Sequence, residues 1–174
     1  MTLLVLESWW LFLPILIANQ CPGIAAHLRL PLALTPISRK WFGENKTCAA
    51  YYVGPLGGII GVFLRQYLVG WFYSINLIDY LTLDNLEYGA ILGLGAIVGD
   101  HFKSFIKRRL GMPAGAPWWP WDQIDYAIGG IVFAYLFLGP IGWRQVCIIV
   151  ITALVIHPIG NTISYRLGYR KTPW

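Results

Sequence analysis

The chain has 174 residues, 57% hydrophobic and only 12% charged, and so carries too few charges to clothe a water-soluble domain. Its net charge of +5 comes from bases in short loops beside apolar runs, which argues against a nucleic-acid surface and for positive loops at a membrane face. Three cysteines, Cys21, Cys48 and Cys147, form no CxxC pair and read as small apolar residues.

A membrane-spanning helix needs about 20 mostly apolar residues. Five stretches fit, and with nineteen glycines they point to a bundle of closely packed membrane helices, with nine tryptophans and ten tyrosines suited to the two interfaces. The first stretch, residues 3–19, is short and contains Pro14. It lacks a basic leader, holds Glu7 and shows no small-residue cleavage site, so we expect a retained span rather than a cleaved signal. A basic loop follows. Its segment SRKWFGENKT offers Lys40, Asn45, Lys46 and Thr47 around a turn-permitting Gly43, and suits a solvated loop as well as a phosphate contact. The second stretch, residues 49–73, carries Arg65, which is expected to snorkel or pair. The next loop holds Asp79, Asp84 and Glu87 without a base.

The third stretch, residues 86–106, has a chargeless core only from 88 to 99, so Asp100 and Lys103 must lie at its inner end. On a continuous helix Asp100, Lys103, Ser104 and Lys107 fall at i, i+3, i+4 and i+7 and share one face. A snorkelling helix end accounts for Arg108 and Arg109 but not for Asp100, because a buried carboxylate needs a partner. Gly111, Pro113, Gly115, Pro117 and Pro120 then make a loop. Asp122 is expected at or near the N-cap of the fourth stretch, residues 124–138, with Asp125 one turn later. Two carboxylates at i, i+3 beside several bases suit Mg²⁺, which takes its other ligands from water and phosphate oxygens. The fifth stretch, residues 145–165, places His157 and Asn161 one turn apart around Pro158, either as a sealed polar kink or as part of a site.

Eleven of the thirteen bases (Arg29, Arg39, Lys40, Lys46, Lys103, Lys107, Arg108, Arg109, Arg166, Arg170 and Lys171) fall on one set of loops. The expected fold is therefore an all-α integral membrane protein of about five transmembrane helices, multi-pass in the cell membrane. Its N-terminus lies outside, and its C-terminus and polar site lie at the cytoplasmic face. No long linker or internal repeat divides residues 1–174, so one domain is expected.

KSFIKRRLG followed by PWDQID resembles the signature region of the CTP-dependent phosphatidate cytidylyltransferases. Within that superfamily the chain is most similar to the archaeal branch, the CDP-archaeol synthases, through LPILIANQCP, FGENKT and HPIGNTISYRLGYRKTPW as well. In the first loop TPISRK lacks the family's acids, and Cys48, Ala49 and Ala50 stand where an aromatic and a glycine are usual. The resemblance implies transfer of CMP from CTP to an isoprenoid ether lipid phosphate, 2,3-di-O-geranylgeranylglycerol 1-phosphate. It implies Asp122 and Asp125 on Mg²⁺, and Asp100 as a further ligand or as an orienter of the lysines. Lys103, Ser104 and Lys107 would then hold the triphosphate, with Asn45, Lys46 and Thr47 as secondary contacts. The nearest alternative is a synthase of CDP-diacylglycerol acting on ester phosphatidate. A small anion transporter should show broken helices in two repeated halves, which the sequence lacks.

Overall fold

The computed structural model describes residues 2–71, 85–166 and 168. Five antiparallel helices follow one another: α1 (Thr2–His27), α2 (Ala50–Trp71), α3 (Asn85–Arg109), α4 (Trp121–Phe137) and α5 (Trp143–Arg166). Among the described residues there is no strand, only an isolated antiparallel bridge between Pro36 and Thr47. The expected all-α class holds. Asp79, Asp84, Arg170 and Lys171 lie outside the described residues.

Two boundaries differ from expectation. α1 does not stop near residue 19 but runs through Pro22 to His27. A proline removes one backbone bond without ending a helix that neighbours hold in place. Here Ala25, 1% exposed, packs with Ala33, Ala49 and Val53, and Cys21 Sγ donates to the Ile17 carbonyl at 3.3 Å. α4 starts at Trp121, so Asp122 lies in its first turn rather than before it.

By length and composition alone, α1 and residues 143–163 of α5 are long and apolar enough to cross a membrane. α4 has only 17 residues, and α3 ends in Lys107, Arg108 and Arg109. The exterior is nevertheless apolar well beyond α1 and α5. Leu56, Ile60 and Phe63 of α2 and Val132, Tyr135 and Leu136 of α4 face outward, as do Ile151, Val155 and Ile159 of α5. Inside, Leu11, Phe12, Ile15, Tyr88, Leu92, Tyr126 and Ile149 form the core. An apolar exterior around an apolar interior gives no hydrophobic drive to pack, so close backbone approach must hold the bundle.

Glycines supply that approach. A Cβ at Gly58 would overlap the Gly89 carbonyl, and one at Gly93 would overlap the Gly54 carbonyl, so α2 and α3 touch backbone to backbone. On the opposite side of α3, Gly99 meets the Asp125 carbonyl and Gly129 meets the Gly95 carbonyl, which joins α3 to α4 in the same way. Gly61 lies against Pro14 and Gly57 against Ala18, drawing α1 onto α2. α3 is therefore the central helix, gripped on two faces.

Gly93→Val should cost about 3 kcal/mol, because backbone rather than a flexible side chain would have to yield. Gly160→Ala, with nothing within 4 Å of the new methyl group, should be neutral or stabilising by roughly 0.5–1 kcal/mol. Thermal unfolding in detergent followed by circular dichroism compares the two. Unchanged melting of Gly93→Val would refute the close α2–α3 contact.

Candidate active site

At the end of the bundle where α1, α3 and α5 finish and α2 and α4 begin lies a cavity of about 750 Å³. Its wall on the α3–α4 side is charged and includes Asp100, Lys103, Lys107, Asp122 and Asp125. Its α1–α5 wall carries Asn19, His27, His157 and Asn161, with Gly23 and Ala26 between them.

The charged wall is built from local rules. α3 stays helical through Arg109, so Asp100, Lys103, Ser104 and Lys107 do share a face. Gly99 against Gly129 lets α4 approach so closely that Asp125 comes beside Lys103. The loop between them is tied back by Arg108, which donates to the Pro113 carbonyl at 2.9 Å, and by Lys107, which donates to the Ala116 carbonyl. The first loop closes as a hairpin. Ile37 N donates to the Lys46 carbonyl and Cys48 N to the Thr35 carbonyl, both at 2.9 Å, and Gly43 turns at φ +89°. That hairpin carries Lys46 onto Asp100 at 2.5 Å.

The result is an ionic knot of three lysines and three aspartates. Lys103 Nζ lies 2.5 Å from Asp125 Oδ2, 2.8 Å from Asp122 Oδ1 and 3.4 Å from Asp100 Oδ1. Lys107 Nζ reaches both Asp122 oxygens at 3.0 and 3.1 Å. The Lys103 side chain is 13% exposed and that of Asp125 5%, so these charges are largely withdrawn from water and need one another. Among the described residues no three His, Cys, Asp or Glu side chains stand together as a ready metal cage; the aspartates converge instead on the Lys103 ammonium.

Every residue expected to carry chemistry lines this cavity: Asn45, Lys46, Thr47, Asp100, Lys103, Ser104, Lys107, Asp122 and Asp125. Three have roles the sequence did not show. Asp122 is not the cap of α4, whose N-cap is Pro120 without a side-chain bond; it accepts from Trp118 N at 2.5 Å and pairs with both lysines. The Ser104 hydroxyl lines the cavity and donates to the Asp100 carbonyl at 2.9 Å. Lys46, expected as a secondary phosphate contact, is also a direct partner of Asp100.

His157 and Asn161 also reach the cavity wall. The α1 contribution of Asn19 and His27 was missed, because isolated polar residues in an apolar run form no pattern. His101 was missed too. It is 3% exposed, stacks on Tyr51 at 5.2 Å and 12°, and places Nδ1 2.6 Å from the Ile97 carbonyl. In the sequence it stands between Asp100 and Lys103, whose charges give the clearer pattern.

Lys46→Met should destabilise the protein by about 1–3 kcal/mol by leaving Asp100 undercompensated. Adding Asp100→Asn should restore part of the loss, giving a favourable coupling in a double-mutant cycle of melting curves. Strict additivity would mean that the Lys46–Asp100 pair contributes nothing to stability.

Comparison with known proteins agrees with this architecture. The family model described as CarS-like, CDP-archaeol synthase, matches residues 1–174. The CDP-archaeol synthase of Pyrococcus abyssi is 32% identical over 179 aligned positions, covering 98% of each chain. That of Methanocaldococcus jannaschii is 33% identical, again over 98% of each, and that of Methanopyrus kandleri 33% over 97% of this chain and 92% of its own. A solved intramembrane enzyme for archaeal membrane lipids biosynthesis shares the fold, with a TM-score of 0.67 at 23% identity over 90% of this chain and 94% of its own. With a family model matched from end to end and relatives above 30% identity over nearly their whole length, the chain belongs to the CDP-archaeol synthase family.

Proposed function

We propose that this protein transfers CMP from CTP to the phosphate of 2,3-di-O-geranylgeranylglycerol 1-phosphate, giving CDP-archaeol and pyrophosphate. The observation that carries the reading is the convergence of Lys46, Lys103, Lys107 and three aspartates on one cavity at the helix ends. In the reaction a lipid phosphate oxygen attacks the α-phosphorus of CTP. The new P–O bond forms as the bond from that phosphorus to the bridging oxygen breaks, and the electron pair leaves with pyrophosphate. A phosphate monoester is already anionic near neutral pH, so the enzyme's work is positioning and charge neutralisation.

Lys103 and Lys107 would bind the triphosphate, and Lys46, Asn45 and Thr47 would close over it from the first loop. Ser104, whose hydroxyl proton goes to the Asp100 carbonyl, would accept one further bond at the same wall. Asp122 and Asp125, in the first two turns of α4, offer hard oxygen donors that already converge on a cation, which fits Mg²⁺. Bound there, Mg²⁺ would offset charge on the triphosphate and the leaving pyrophosphate. Asp100, held by Lys46 at 2.5 Å and only 3.4 Å from Lys103, serves best as the orienter of both lysines.

All five helices would cross the bilayer, with the cavity at the cytoplasmic face, so that lipid chains stay in the membrane while CTP enters from water. The bases on the loops after α1 and α3 support that orientation.

Radiolabelled CTP with ether and ester lipid phosphates tests the reaction. Lipid-soluble label should appear with CTP and Mg²⁺ and should be greater with the ether lipid, while ATP and GTP give little. No transfer to either lipid would refute the function. Asp122→Asn and Asp125→Asn should each lose about 100-fold in turnover per folded molecule, roughly 2.7 kcal/mol of barrier. Near-normal rates would move the metal elsewhere.

For the orientation, Leu110→Cys and Arg144→Cys lie in exposed positions at opposite ends of the bundle. In a background without Cys21, Cys48 and Cys147, an impermeant thiol reagent on sealed cells should label only Arg144→Cys. Labelling of Leu110→Cys from outside would invert the topology.

A further inference from the structure

We propose that the Lys103 ammonium is a resident cation. It holds the position among Asp100, Asp122 and Asp125 that a divalent metal would take, and leaves only when a metal–triphosphate complex offers it phosphate oxygens in exchange. The inference rests on the function proposed above and adds a coupling between metal and nucleotide that the reaction itself does not require.

The geometry is that of an occupied cation site. One nitrogen lies within 3.4 Å of carboxylates from three residues on two helices, with its side chain 13% exposed. Without a cation at that point, Asp100, Asp122 and Asp125 would face one another across a space poor in water, which like charges oppose. The glycine contacts between α3 and α4 bring the carboxylates together, so an opposite charge or a proton must offset them. Lys46 and Lys107 do not substitute for it. Lys46 holds Asp100 and Lys107 holds Asp122, leaving Lys103 as the ion-pair partner of Asp125 among the described residues.

A bare divalent ion therefore meets carboxylates already paired with three lysines. It cannot share the position, because a dication and an ammonium a few ångströms apart repel strongly. Nor does the cavity hold another free acid to receive the displaced ammonium. The remaining acidic residue on its wall is Glu44, whose carboxylate is 72% exposed and lies 3.9 Å from Arg39. A triphosphate brings the missing anionic oxygens. Metal and nucleotide then bind together, and each must raise the affinity for the other by the same factor.

Mn²⁺ is the probe, with free ion measured by electron paramagnetic resonance over full-length protein in detergent. In the wild type, a non-hydrolysable CTP analogue should tighten Mn²⁺ binding beyond the analogue's own chelation by at least about tenfold. Lys103→Met keeps the apolar stem without the charge. It should bind Mn²⁺ about tenfold more tightly than wild type when no nucleotide is present, and should lose most of the nucleotide effect. Lys107→Met removes the same charge from a neighbouring lysine and should tighten Mn²⁺ binding much less. Equal tightening in Lys103→Met and Lys107→Met would leave only a net-charge effect and overturn the proposal. So would Lys103→Met binding no tighter than wild type. Should Lys103→Met fail to fold, absence of linkage in the wild type alone overturns it. Active enzyme without linkage would spare the proposed function, whereas no Mn²⁺ binding in any form would remove the metal assignment and this inference together.

Discussion

The structure depends on backbone-to-backbone contact at the glycines of α3. Gly89 and Gly93 meet α2, and Gly95 and Gly99 meet α4, leaving no room for a side chain at either seam. In a bundle whose exterior is as apolar as its interior, burial alone does not choose helix partners. Shape does. The seams set which helix lies beside which, how near, and at what height.

That last quantity reaches the chemistry. Gly99 lies one residue before Asp100, and Gly129 one turn beyond Asp125, so the α3–α4 seam ends where the charged face begins. The helices are still at minimal separation there, and carboxylates of α4 must meet the lysine of α3. Buried charges are costly unless paired, and each charge here has a partner on another element: Lys46 from the first loop, Lys103 and Lys107 from α3, Asp122 and Asp125 from α4. The knot thereby fastens a loop and two helices at one end of the bundle. The residues proposed to bind phosphates also hold the walls of the cavity.

The two walls of the cavity differ in character. The α3–α4 wall is charged, whereas the α1–α5 wall has Asn19, His27, His157 and Asn161 among small residues. Both α1 and α5 present apolar side chains outward along their length.

Much of this was legible in the residues. Apolar run lengths located five helices, and an i, i+3, i+4, i+7 spacing put Asp100, Lys103, Ser104 and Lys107 on one face, because helical period is a local property of the backbone. The DQID pair beside the basic helix end marked the carboxylates, and the glycine-rich composition announced close packing. Other features required the fold. α1 continues past Pro22 because packing against Ala49 and Val53 compensates for a missing backbone bond, and no rule of local sequence contains that packing. Asp122 looked like a helix cap, yet in space its acceptor oxygens go to Trp118 N and two lysines. Lys46 is 54 positions from Asp100 and meets it only because a hairpin folds over the end of α3. The sequence by itself determined the helices, their apolar faces and the stock of charges, since these follow from composition and period. Which charge neutralises which was decided by tertiary structure alone, because ion pairing depends on distance between elements that local sequence does not encode.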